Sequence, residues 1–242
     1  MVGYGTKVGL APMHTWLPDA HAEAPSPASA MLSAALLNVG MYAIIRFLAI
    51  AQARLGHTYP RAVLLSFGFA SIVIGALFMV RRGNFKRLFA YSSVEQMGII
   101  AVALGFGGIL GLYGALLQTL NHAIAKAVLF LSSGDVALRY KTREAGEVSG
   151  LLAAVPVTGG VLLLASFAVL GSPPFGLFLS ELTIVRAGFA HGSPAFPLLL
   201  LALLGLAFVP FARTTTGMVT GSPPPLASPR RRGPDTRPDV HR

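Results

Sequence analysis

The 242-residue sequence has no cysteine, which excludes disulfides, thiolate metal sites and cysteine-ligated iron–sulfur clusters from this chain. Charge is scarce as well: Asp, Glu, Lys and Arg make up 12% of the residues, against about 25% in a soluble domain. A chain so poor in charge has too few polar groups to cover a surface facing water. Acidic residues are rarest, nine against nineteen basic ones, for a net charge of +10. No strand–glycine-loop–helix unit for a dinucleotide is present, and the glycines at 105–111 read as a turn between spans. The chain opens Met1-Val2-Gly3-Tyr4-Gly5-Thr6-Lys7, with no basic flank before an apolar stretch, so no cleavable signal peptide is expected.

Apolar residues fill this space. They are 54% of the chain, the mean hydropathy is +0.67, and they come in runs near the ~20 residues that cross a ~30 Å hydrocarbon layer. The composition predicts an all-α integral membrane protein with a bundle of about seven transmembrane helices. The spans are expected at 1–17 (short and glycine-rich), 27–50, 61–80, 90–104, 112–131, 148–190 with an interruption, and 197–211. The chain thereby divides into an incomplete broken helix and its connection at 1–26, a helix bundle at 27–213, and a Pro/Arg-rich tail at 214–242. The tail is expected to be disordered.

The basic residues also report orientation. Arg81, Arg82, Lys86 and Arg87 share one connection, Arg139, Lys141 and Arg143 another, and Arg213, Arg230, Arg231, Arg232, Arg237 and Arg242 lie in or beside the tail. Alternate connections are poor in Lys and Arg. The crossing count puts the three rich segments on one side, which the positive-inside rule makes cytoplasmic. The net charge is therefore read as a membrane signal and not as a nucleic-acid one.

An ionisable residue inside an apolar span is costly and marks a bundle interior or a wet path. Lys7, Glu95, His122, Lys126 and Glu181 qualify, with Asn38 and Gln118 as uncharged polar neighbours. Gln118, His122 and Lys126 recur every four residues and so share one helix face. An ammonium removed from water releases its proton at less cost, and an imidazole titrates near neutrality, so a proton relay is predicted there. A snorkelling lysine beside a structural histidine is the plainer reading.

Glu181 follows Gly171-Ser172-Pro173-Pro174-Phe175-Gly176, a helix break of the kind found beside ion sites in transporters; pairing with Arg186 is the alternative. Lys7, close to Gly5, Gly9 and Pro12, reads as a reduced copy of that arrangement, as an internal inverted repeat would leave it. Glu95 is expected either as a proton uptake point or paired with Lys86 or Arg87. Asp19 and Glu23 are expected to cap the next span. His14, His21 and Glu23 lack a recognised metal-ligand spacing, and no metal or other cofactor is expected in this chain.

Several stretches are specific enough to carry a resemblance. Gly3-Tyr4-Gly5-Thr6-Lys7 through Pro27, Arg87-Leu88-Phe89-Ala90-Tyr91-Ser92-Ser93-Val94-Glu95, Asn121-His122-Ala123-Ile124-Ala125-Lys126 through Leu131, and Gly171 through Glu181 resemble the antiporter-like membrane subunits of respiratory complex I. Those subunits are related to multi-subunit cation/proton antiporters and energy-converting hydrogenases. The contexts of Glu95 and Glu181 look most like the hydrogenase-4 component F branch.

The resemblance covers about residues 1–226. It implies an inverted-repeat transporter fold and two proton half-channels joined by a central polar axis. It makes Lys7 the lysine of the first broken helix, partnered in relatives by a glutamate on an earlier helix. Lys126 becomes the central lysine with His122 beside it, and Glu181 the exit-side charge. Gln118 stands where many relatives have a second histidine, and Asn38 where one branch has a lysine.

The family's subunits are about twice as long, so a fragment is expected: a truncated or mis-framed reading, or a half-length subunit pairing with another chain. The implied role is proton translocation within a multi-subunit redox complex of the inner membrane, its redox centres lying in partner subunits. A cation/proton antiporter subunit and a non-conducting remnant that only packs laterally are the competing readings.

Overall fold

In the computed structural model, residues 2–81 and 83–222 are described. Nearly all of them are helical. Helix α1 (Val2–Val8) ends at Gly9, whose φ of +76° turns the chain out of the helix. A short irregular link leads to α2 (Trp16–Glu23). Helix α3 (Ser26–Met31) has Pro27 in its first turn, where no N–H is needed. It continues through a π-helical turn at Leu32–Leu36 into α4 (Leu37–Leu55), making one rod over Ser26–Leu55. Gly56, at φ +72°, reverses the chain into α5 (Thr58–Met79). Asn84 caps α6 (Phe85–Phe106) by accepting hydrogen bonds from the backbone N–H groups of Lys86 and Arg87. Gly107, at φ +68°, then opens α7 (Gly108–Tyr140).

The short α8 (Leu151–Ala154) precedes α9 (Pro156–Val169), which stops at the predicted Gly171–Gly176 interruption; α10 (Gly176–Ala190) resumes beyond it. Helix α11 (Ala195–Val219) closes the bundle. Five helical rods are long and apolar enough to cross a membrane, and the pairs α1/α2 and α9/α10 are the two interrupted segments. The expectation of about seven spans with broken helices is met in this form. Several ends differ by a few residues, α4 running to Leu55 and α6 starting at Phe85, and two differ by more. Helix α7 runs to Tyr140, well beyond 131: Ser133 and Val136 in its last turns are buried, and the Tyr140 hydroxyl donates to the Ser149 carbonyl. Helix α11 continues through Thr214, Thr215 and Thr216, whose hydroxyls bond back to carbonyls one turn earlier, so the bundle ends at Val219 and not at 213. The rest of the predicted tail, 223–242, lies outside the described residues.

Helix α6 is the axis of the bundle, sheathed by neighbours along nearly its whole length. Small residues make its packing on α5 close. A Cβ at Gly98 would come within 2.7 Å of the Gly68 carbonyl, and one at Gly75 within 2.9 Å of the Glu95 Cβ. Backbones can approach so nearly only where side chains are absent. The helix carrying Ser92, Ser93, Glu95 and Gln96 is thus placed in the middle of the protein and kept from lipid.

The connections gather at two ends. At one, the Lys86 Nζ donates to the Ala24 carbonyl at 3.0 Å, Arg143 donates to the Ala22 carbonyl, and Arg87 pairs with Asp19. Gly83 O accepts from the Ala145 N–H, and the Gly150 N–H reaches the Thr220 carbonyl. At the other end the Arg61 guanidinium packs on Gly107, and the His191 ring hydrogen-bonds the Phe106 carbonyl. The basic connections therefore share one end, as the crossing count requires. Asp19 and Glu23 bind Arg87 and Arg143 there, tying α2 to its neighbours instead of capping α3.

Candidate functional site

The face of α7 predicted from four-residue spacing points inward. Gln118, His122 and Lys126 are all buried. The ammonium of Lys126 donates to the Phe89 carbonyl at 2.8 Å and to the Ser92 hydroxyl. Phe89 O also accepts from Ser93, which shares a 2.9 Å hydroxyl–hydroxyl bond with Ser33 in the π turn. His122 lies against the Ser33 backbone, yet neither ring nitrogen has a well-formed hydrogen bond. The π turn thus puts a wider stretch of backbone opposite the imidazole, a use such turns often serve.

Glu95 neither pairs with Lys86 or Arg87 nor sits at a chain end. It is buried and stands mid-helix in α6, within electrostatic reach of Lys126 on α7 and Glu181 beyond the α9/α10 break. Glu95 and Glu181 line one cavity of about 20 Å³ with Ser92, Gln96 and Phe211, which is room for about one water.

The break is built around Glu181. A Cβ at Gly171 would run into its carboxyl oxygen, and Gly171 has φ +61°, so both space and backbone conformation call for glycine there. The freed carbonyl of Val169 is satisfied by the Gln96 amide at 3.2 Å. Gln118 donates to Gln96, and its own carbonyl accepts from Ser180 on α10. Gln96 and Gln118 are also the side-chain neighbours of the Glu181 carboxyl. This network joins α6, α7, the end of α9 and α10. Each interrupted segment contains one cis proline, Pro12 and Pro174, the latter following Pro173.

Other candidates lie apart. Lys7 is exposed on α1, with its Cβ near Gly40 of α4. Asn38 bridges α4 to α7 by donating to the Ala34 and Thr119 carbonyls at 2.7 and 3.3 Å. Among the described residues Glu181 makes no salt bridge with Arg186, and no three His, Asp or Glu side chains cluster as metal ligands. Sequence reading weighed His21 only as a metal ligand; it is fully buried, stacks on Phe130 at 4.6 Å, and stands within electrostatic reach of Lys126 and Lys86. Sequence reading missed Ser92 and Gln96, although their four-residue spacing on α6 was a readable signal.

Residues 1–206 match the family described as NADH:quinone oxidoreductase/Mrp antiporter, transmembrane. A hydrogenase-4 component F homolog of Methylacidiphilum infernorum is 40% identical over 235 residues, 94% of this chain and 48% of that protein. NADH-quinone oxidoreductase subunit N of Desulforudis audaxviator is 33% identical, over 96% of this chain and 46% of its own length. Among solved structures, a chain of the archaeal membrane-bound sulfane sulfur reductase superposes with a TM-score of 0.85 at 30% identity, covering 93% of this chain and 47% of that one. A chain of the Mrp complex of Dietzia sp. does so with a TM-score of 0.85 at 27% identity. The chain spans about half the length of the curated relatives it matches. Since the family match runs over most of the sequence and the fold agrees with it, this chain belongs to the NADH:quinone oxidoreductase/Mrp antiporter transmembrane family.

Proposed function

We propose that this chain conducts protons along the line Lys126–Glu95–Glu181, as part of the membrane arm of a multi-subunit redox complex. The observation that carries this reading is the position of Glu95: it lies between the buried amine and the second carboxyl, and shares a water-sized cavity with the latter. Three ionisable groups in a medium of low dielectric feel one another's charge strongly. A proton arriving at or leaving Lys126 therefore changes the ionisation of Glu95, and through it that of Glu181.

Protons reach Lys126 from the end rich in Lys and Arg, past His21 and His122, and leave through Glu181 at the break. The positive-inside rule makes that end cytoplasmic, with the C-terminal tail on the same side of the inner membrane. Redox energy comes from partner subunits.

The test is proton uptake by proteoliposomes carrying the assembled complex. Lys126→Ala and Glu95→Gln are each expected to lower it at least about tenfold, equivalent to ~1.4 kcal/mol, while assembly persists. Unchanged uptake in both variants would remove the conduction line and leave the chain a packing element.

A further inference from the structure

A second feature, on the flank of the bundle, takes no part in that line. Between α7 and α9 runs a groove whose walls are exposed apolar side chains, Ile124, Val128 and Leu131 on one helix, Val157, Val161 and Leu164 on the other. Two cavities, of about 610 and 330 Å³, make up this groove and share Val128 and Val161 as common wall. Volumes in this range suit a small amphiphile, and a helix 10–12 Å across is too wide to enter.

The upper end is cationic. Lys86 and Arg143 line it together with Ser26, Ser132 and Asp135. Lys86 is only 2% exposed, uses one ammonium hydrogen on Ala24 O, and makes no salt bridge among the described residues. Two cations, Lys86 and Arg143, line this end against one lining carboxylate, Asp135, while Arg143 also reaches the exposed Glu23 at 3.9 Å outside the groove. The lower end is the helix break, where the buried Asn121 Nδ2 lacks a partner and Gly176 packs on the same amide. From Leu138 to Asn121 the α7 axis rises about 25 Å, close to the depth of one leaflet with its headgroups.

We propose that this groove binds one anionic phospholipid, with its phosphate at Lys86 and Arg143 and one acyl chain laid along α7 and α9 down to Gly176. Basic pockets between transmembrane helices suit such headgroups. Asp135 can accept hydrogen bonds from the hydroxyls of a glycerol headgroup, and the preference for an anionic lipid rests on Lys86 and Arg143. The acyl chain covers the outer side of the break that holds Glu181.

The experiment is native mass spectrometry of the full chain, purified in mild detergent, delipidated, and titrated with phosphatidylglycerol or phosphatidylcholine. One retained phosphatidylglycerol is expected, bound about tenfold more tightly than phosphatidylcholine (~1.4 kcal/mol). Lys86→Ala should remove the headgroup preference, and Val161→Trp, which fills the groove without touching the cations, should lower binding of both lipids about tenfold. Equal retention of the two lipids by the unaltered chain overturns the proposal. So does phosphatidylglycerol binding that withstands Val161→Trp, the outcome that matters should Lys86→Ala fail to fold. Because the chain lacks cysteine, Val128→Cys gives a unique probe in native membranes, and its cross-linking to a companion membrane subunit would assign the groove to protein and likewise overturn the proposal.

Discussion

Lys126 has no contact with bulk solvent, and its ammonium is held by one backbone carbonyl and one hydroxyl. No carboxylate lies within salt-bridge distance of it among the described residues, so Glu95 acts on it through space and not by pairing. An amine held this way is costly to keep and contributes little to packing that a methionine of similar volume would not. Lys126→Met is therefore expected to leave thermal unfolding in detergent unchanged or raised by about 1 kcal/mol, while proton uptake by the assembled complex is lost; a large drop in melting temperature would show the lysine to be structural. At Gly171 the expectation is reversed. Adding a single methyl group in Gly171→Ala meets the Glu181 carboxyl and an unfavourable backbone conformation, and should destabilise by about 1–3 kcal/mol, read from the same unfolding curves. That Lys126, His122 and Gln118 share a face was legible in their spacing. That Lys126 answers to Ser92 and Phe89 was not, because these partners sit on another helix whose rotation is set by packing.

At the scale of elements, the decisive contact is α5 against α6. Gly68, Gly75 and Gly98 let the two backbones meet, and Gly75 presses directly on the base of Glu95. Gly98→Leu should separate the helices and cost about 1–3 kcal/mol, as overpacking does, with helix content by circular dichroism preserved. Gly205→Leu, at a position with nothing within 4 Å, is the matched control and should change stability by less than about 0.5 kcal/mol. The α9/α10 break was legible as a glycine–proline string. Its repair was not: the Val169 carbonyl is satisfied by Gln96, a residue that sequence alone offers only as one more polar group in α6. The two least apolar of the long rods, α6 and α7, are the ones that carry the site, since lipid-facing helices have no use for buried polar groups.

For the whole molecule, the prediction is one of sidedness. Arg87, Arg143 and the start of the segment after α11 lie at one end, Arg61, Gly107 and His191 at the other. A fluorescent protein fused after Arg242 should fold and fluoresce in cells, and Ile109→Cys, at a site 89% exposed, should react with an impermeant thiol reagent from outside. Labelling only after membrane rupture would invert the orientation and with it the direction proposed for proton flow.

The sequence by itself determined that this chain lives in a membrane, roughly where its helices lie and where they break, and which residues are too polar for lipid. Hydropathy, capping and glycine or proline punctuation act within a few residues of one another, so a linear reading captures them. Tertiary structure alone decided that Glu95 stands between Lys126 and Glu181, and that His21 is buried near Lys126. Such placements depend on how helices far apart in the chain rotate and press together, and that is settled by side-chain volumes and small-residue contacts summed over the whole bundle.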